Sequence, residues 1–120
     1  MAVRNSFDNF QRWTQYVSVR IIKVSFLDEA ARQYPKAAKY LEKWGSTAKL
    51  AEWQSLVDVR RDYPPTDSAV VRSGRRVLIF NVCGNDYRLI CAAHFNLQKI
   101  YTLRFLTHAE YSKNRWKDEL

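Results

Sequence analysis

The sequence predicts an α+β domain: N-terminal helices backing a twisted, mostly antiparallel sheet of four to five strands, closed by a short C-terminal helix. Three observations carry this. Apolar residues recur at helical spacing between Asp28 and Asp62. After Pro64-Pro65, β-branched and aromatic residues rise and turn signals recur at strand spacing. Gly84-Asn85 between two apolar runs is a two-residue hairpin signal.

Taken in order, Ile21–Phe26 reads as a short strand, with Ile22, Val24 and Phe26 on one side. Leu27, Ala30, Ala31 and Tyr34 form the apolar stripe of a first helix, which Pro35 stops. A second helix is expected over Lys36–Trp44, with Ala37, Tyr40, Leu41 and Trp44 on one face and Gly45 at its end. A third stretch carries Leu50, Trp53, Leu56, Val57 and Arg60 and ends at Pro64-Pro65. Strands follow near Ala69–Arg72, Arg75–Val82, Asp86–Phe95 and Lys99–Thr107, then a helix over Ala109–Trp116. At helical spacing, Trp44 and Trp53 read as core.

The registers of these strands bear on function. Closing the first hairpin at Gly84-Asn85 sets Val82 opposite Tyr87, Phe80 opposite Leu89 and Leu78 opposite Cys91, one apolar face. The other face then pairs Asn81 with Arg88 and Ile79 with Ile90. For the next hairpin, a turn on Leu97-Gln98 alone mixes charge into the core face. A three-residue turn, Asn96-Leu97-Gln98, sets Ala93 opposite Tyr101, Cys91 opposite Leu103 and Leu89 opposite Phe105, and keeps that face apolar. Arg88, Arg104 and His108 then share the second face with Asn81. Mid-strand arginines without acidic partners repel one another by tenths of a kcal/mol to about one. An anion such as phosphate would relieve that, through the planar fork of arginine.

Composition sets the outer limits. A chain of 120 residues holds one hydrophobic core, and 47% apolar content argues against disorder. A net charge of +8 points to nucleic acid, an anionic membrane surface or an acidic protein as partner. There is no apolar run long enough to span a membrane and no secretory signal pattern, so cytoplasm is the expected location. Cys83 and Cys91 lack metal-ligand spacing, so no metal is expected and two reduced thiols are.

Two phrases add a resemblance. FNVCGNDYRLI (Phe80–Ile90), then Arg104 on a strand followed by Leu106-Thr107-His108-Ala109-Glu110-Tyr111, resemble the HigB-type toxins of bacterial toxin–antitoxin pairs, within the RelE-like group. The segment ending DVRRDYP and Arg75-Arg76-Val77 resemble that family's middle, and the similarity runs from about Val19 to Ser112. Leu106 stands where the family usually has glycine, and Ser112 where it usually has an acidic residue. Residues 1–18 have no counterpart in it and read as an N-terminal extension, with the toxin domain over 19–120.

The resemblance implies a RelE-like fold and cleavage of mRNA in the ribosomal A site. It also implies a cognate antitoxin of HigA type, a helix-turn-helix protein; no cofactor and no membrane partner are expected. In such a reaction the RNA 2′-hydroxyl attacks the adjacent phosphorus and the 5′-oxygen leaves, which needs proton transfer and charge stabilisation but no metal. His108 is then the candidate acid or base. Arg88 and Arg104 would hold the phosphate, and Tyr111 would stack on a base or share in proton transfer. Asn81, Arg60 and Arg76 are candidate RNA-binding residues. Structural roles compete: His108 as a helix cap, Tyr111 as a helix anchor, Asn81 orienting Arg88, Asn85 serving the turn alone, His94 structural. The arginines 60, 61, 72, 75 and 76 can be solvated charges attracting RNA backbone. A noncatalytic RNA- or protein-binding module is the competing function.

Overall fold

A computed structural model describes residues 20–22 and 24–120; the proposed extension 1–18 lies outside the described residues. The elements are β1 (Arg20–Ile22), α1 (Val24–Gln33), a 3-10 turn at Pro35–Ala37, α2 (Ala38–Leu50), α3 (Leu56–Asp62), β2 (Asp67–Val70), β3 (Arg76–Val82), β4 (Tyr87–His94), β5 (Lys99–Thr107), α4 (His108–Ser112) and α5 (Arg115–Glu119). The sheet order is β1-β5-β4-β3-β2. β1 pairs with β5 in parallel, and the β5–β4, β4–β3 and β3–β2 pairs are antiparallel. This is the expected α+β arrangement, with β1 added at one edge. Among the described residues no helix is long and apolar enough to cross a membrane.

Several boundaries differ from the sequence reading. The N-terminal strand stops at Ile22, and helix α1 already begins at Val24. Helix α2 runs through Gly45 to Leu50 instead of ending at the glycine. Gly45 is buried in mid-helix, and a Cβ there would lie 3.8 Å from Leu27 Cδ1, an ordinary contact between α1 and α2. Packing has overridden the helix-ending preference of glycine. The third apolar stretch is divided: Leu50 closes α2 in the open, and Trp53 is buried in the connection to α3. Gln98 Nε2 bonds the Trp53 carbonyl at 2.8 Å, and Trp53 Nε1 bonds Asp62 at 2.8 Å.

The first hairpin has the expected register: Val82 faces Tyr87, Phe80 faces Leu89 and Leu78 faces Cys91. Cys83 and Gly84 turn with φ of 53° and 69°, a region that costs glycine little and cysteine roughly 1 kcal/mol or more. The second hairpin is corrected. Its loop is Phe95–Gln98, its ends pair His94 with Lys99, and Ala93 faces Ile100 rather than Tyr101. Cys91 faces Thr102, not Leu103. A register shift between Ile90 and Cys91 then restores Leu89 opposite Phe105. One extra residue on β5, a β-bulge at Leu103, reconciles the loop with the apolar face.

Two cores result. Helices α1 to α3 pack Leu27, Leu41, Trp44 and Val59 on Leu78, Phe80, Val82, Leu89 and Cys91. On the second face Val71, Val77, Ile79, Ile90 and Trp116 form a smaller cluster, joined by Leu103, Leu106 and Tyr111. The second face is thus not the solvated surface that strand alternation alone suggests: Trp116, brought over by the C-terminal segment, covers part of it. That segment is also not one helix. Asn114, at φ 62°, breaks it into α4 and α5. Cys83 and Cys91 are both free thiols, and burial pushes the Cys91 thiol far above its ordinary range.

Two measurements follow. Gly45→Ala should raise stability by about 0.5–1 kcal/mol in urea unfolding, because the new methyl meets only an ordinary contact and the helix loses a flexible residue. The Tyr40 hydroxyl donates to the Asn81 carbonyl at 2.9 Å, tying α2 to β3. Burial raises the phenol pKa of both Tyr40 and Tyr63 above 10.0. Both groups bind protons more tightly when folded, so their stabilisation should be complete below pH 10 and fall as pH rises through the folded values. Tyr40→Phe should cost about 1 kcal/mol at pH 7 and flatten the alkaline fall.

Candidate nucleic-acid site

Strand β4 places Arg88 on the second face, opposite Asn81 on β3 and Leu106 on β5. It is only 8% exposed. A guanidinium stays charged even when buried, and removing it from water costs several kcal/mol unless partners compensate. Arg88 Nη1 donates to the Tyr87 carbonyl and Nη2 to Asn85 Oδ1, both at 3.1 Å. Its Cζ lies 5.1 Å from the centre of the Tyr111 ring, a cation–π contact. Among the described residues no carboxylate lies within ion-pair distance of it. Two of its five N–H donors are used by these bonds, which leaves capacity for an anion.

Arg104 faces Ile90 on β4, two positions along from the Arg88–Leu106 pair, a diagonal of about 7–8 Å. It is half-buried, donates to the Leu103 carbonyl at 2.9 Å, and sits 3.6 Å from Glu119 on α5. Beside it opens a cleft of about 620 Å³ with Tyr34, Phe105, Phe26, Arg32 and Gln33 among its lining. In this cleft the Tyr34 phenol is raised above its usual pKa, by burial first and then by the nearby Glu110 carboxylate.

His108 begins α4 and its side chain is exposed. It does not cap the helix. Thr107 is the N-cap, with its Oγ1 accepting from the Glu110 amide and Glu110 Oε1 accepting from the Thr107 amide, a reciprocal capping box. The His108 amide instead donates to the Asp86 carbonyl at 2.9 Å, so the β3–β4 turn fixes where α4 starts. Tyr111 is one turn further on, its ring stacked on Trp116 with centroids 5.3 Å apart and planes 11° apart.

The structure therefore brings Arg88, Tyr111 and Asn81 into one region, with Arg104 and His108 at its margins. It does not bring Arg60 or Arg76 there. Arg60 projects from α3, and its Nε bonds the Thr66 carbonyl at 2.9 Å. Arg76, by strand alternation, lies on the face of Leu78 and Phe80 and bonds Ser68. His94, at the far end of β4, packs edge-on against Tyr101. Sequence reasoning missed three residues. Asn85 does more than turn the chain, since it accepts from Arg88; its three-residue spacing from Arg88 was the available signal. Trp116 and Glu119 were hidden by the expectation of one continuous helix. Among the described residues no three of His, Cys, Asp and Glu gather as metal ligands.

Chemically, a buried and a half-buried arginine, the first with no carboxylate partner among the described residues, flanked by tyrosine and histidine, suit a phosphodiester. Glu119 is the competing anion for Arg104. Glu119→Gln should tighten binding of a short RNA on the order of threefold at low salt, with the gain fading as salt rises. Equal affinity for both proteins at low salt would remove Glu119 from the site.

Comparison with known proteins places the chain in a family. A family model described as the HigB toxin, the RelE-like toxic component of a toxin–antitoxin system, matches residues 37–114. The mRNA interferase toxin HigB of Escherichia coli K12 is 27% identical over 93 residues, covering 78% of this chain and 88% of that protein. The mRNA interferase HigB of Escherichia coli O6:H1 is 28% identical over 95 residues, covering 79% and 90%, and that of Shigella flexneri is 27% identical over 93. The matched segment holds Arg88, Arg104, His108 and Tyr111, and the chain belongs to the HigB toxin family of RelE-like toxin–antitoxin components.

Proposed function

We propose that this chain is an endoribonuclease that blocks translation by cleaving mRNA in the ribosomal A site, and that a helix-turn-helix antitoxin of HigA type neutralises it. The observation that carries the reading is Arg88: a guanidinium at 8% exposure with no carboxylate partner among the described residues. Such a group is stabilised by an incoming phosphate, and in a water-poor setting its bonds to developing negative charge are worth more than in solution. The relatives' names as mRNA interferases supply the substrate class. The site in this reading is cytoplasmic, where translating ribosomes are.

In the cleavage step the RNA 2′-hydroxyl loses its proton as its oxygen attacks phosphorus, and the 5′-oxygen leaves and takes a proton. Arg88 binds the non-bridging oxygens of the scissile phosphate. Arg104, released from Glu119, adds a second cation. His108 stands in the open at the start of α4 and serves as the acid or base. Tyr111, one turn away, meets the adjoining base or shares the proton transfer. Asn81 lies beside Arg88 on β3 and orients the RNA. Arg60 and Arg76 add long-range attraction for RNA backbone from other surfaces.

The test is induced expression of wild type, Arg88→Ala and His108→Gln, with mapping of mRNA ends in translating cells. Wild type should arrest growth and create new ends inside reading frames. Both variants should stay folded. Arg88→Ala should cut at a rate lower by roughly 10²–10³, and His108→Gln by about 10²–10⁴. Intact mRNA with wild type would sink the nuclease reading. Full activity in His108→Gln would remove the histidine from the chemistry. Cleavage of the same message without ribosomes would remove the ribosome requirement.

A further inference from the structure

The matched family segment ends at residue 114, yet α5, which follows it, reaches into the candidate site. Asn114, with φ 62°, reverses the chain, a conformation that asparagine tolerates better than most residues. The Arg72 amide then bonds the Lys117 carbonyl at 2.8 Å, fixing α5 against the β2–β3 connection. This delivers Trp116 to the second core, where it is 2% exposed among Val71, Val77, Ile79 and Ile90.

Trp116 does more there than fill volume. Its ring lies nearly parallel to that of Tyr111, and its Nε1 donates to the Tyr111 carbonyl at 3.0 Å. Both the side chain and the backbone of Tyr111 are thereby held by one indole. Tyr111 in turn lies 5.1 Å from the Arg88 guanidinium, and Lys117 Nζ lies 5.5 Å from the Trp116 ring. Arg88, Tyr111, Trp116 and Lys117 are thus linked in series by ring contacts. Helix α4 has only five residues, too short to fix a side chain by its own stability. Without Trp116, Tyr111 would have lost the main contact that sets its ring plane.

We propose that Trp116 is a positioning residue for the RNA reaction, acting through Tyr111 to hold the Arg88–Tyr111 pair in the geometry that the phosphate meets. The proposal rests on the endonuclease reading for its kinetic consequence and on the stack alone for its structural one. Aromatic pairs of this kind contribute beyond the area they bury, so a smaller ring retains part of the effect and an aliphatic chain does not. Misplacement of a reacting group by about 1 Å can lower a rate by roughly a hundredfold.

The experiment compares wild type, Trp116→Phe, Trp116→Leu and Trp116→Met, each assayed below its own melting temperature, with Tyr111→Ala alone and combined with Trp116→Leu. NMR first reads the ring-current shift of the Arg88 side-chain protons. The shift should persist in Trp116→Phe and collapse in whichever aliphatic variant stays folded. Cleavage kinetics on a translated message then read the function. The aliphatic variants should lose on the order of 10–100-fold in kcat, Trp116→Phe should stay within about threefold, and the double variant should be no slower than Tyr111→Ala. An unchanged Arg88 shift in a folded aliphatic variant overturns the proposal, as does full kcat there or a double variant whose losses multiply. If wild type does not cleave, the endonuclease reading fails by itself, and the NMR comparison still decides the positioning role.

Discussion

Strand β4 is covered on both faces: from Arg88 to Ala92 every residue is buried. That constraint governs the rest of the architecture. One face is met by three helices, which supply Leu27, Leu41, Trp44 and Val59 and need most of the first half of the chain to do so. Among the described residues no long helix packs on the other face. It is closed by Trp116 and the half-buried Leu103, Leu106 and Tyr111. Arg88 is caught at the margin of this second, thinner layer, where water is scarce. A cation in such a place is tolerated only with good partners, and here they are a carbonyl, an amide and an aromatic ring rather than a carboxylate. The burial of the arginine is therefore a product of how the sheet is covered.

Much of this is legible in the sequence alone. The β3–β4 pairing follows from Gly84-Asn85 and from strict alternation, and with it the juxtaposition of Asn81 and Arg88. Lys99–Thr107 has the bounds that its composition suggests. What the sequence hid were places where two local rules competed. Gly45 signals a helix end, but it lies buried in the middle of α2, and packing of that face outweighs the local preference. The β4–β5 register could satisfy the loop or the apolar face with a regular ladder, and the bulge at Leu103 satisfies both.

The candidate site was legible in its arginines and less so in its supports. Arg88, Arg104, His108 and Tyr111 are marked by strand alternation and by their order along the chain. Trp116 and Glu119 are not, because each acts through a contact made only after the C-terminal segment folds back, and Asn85 is masked by its place in a turn that asparagine serves on its own. Arg60 and Arg76 went the other way: as charges they resemble the others, and only the helix and face that carry them show them to be elsewhere.

The bulge on β5 has a consequence for how this domain can vary. It acts as a phase shifter: on its hairpin side Ile100 and Thr102 face Ala93 and Cys91, and past it Phe105 takes that duty and Arg104 the reverse. Removing a single residue between Lys99 and Leu103 could be absorbed by straightening the strand. Removing one between Arg104 and Thr107 would have no such reservoir to draw on, and would rotate either the arginine or the start of α4 out of place. Length changes in this strand should thus be tolerated on the loop side of the bulge and rejected on the side that leads to His108.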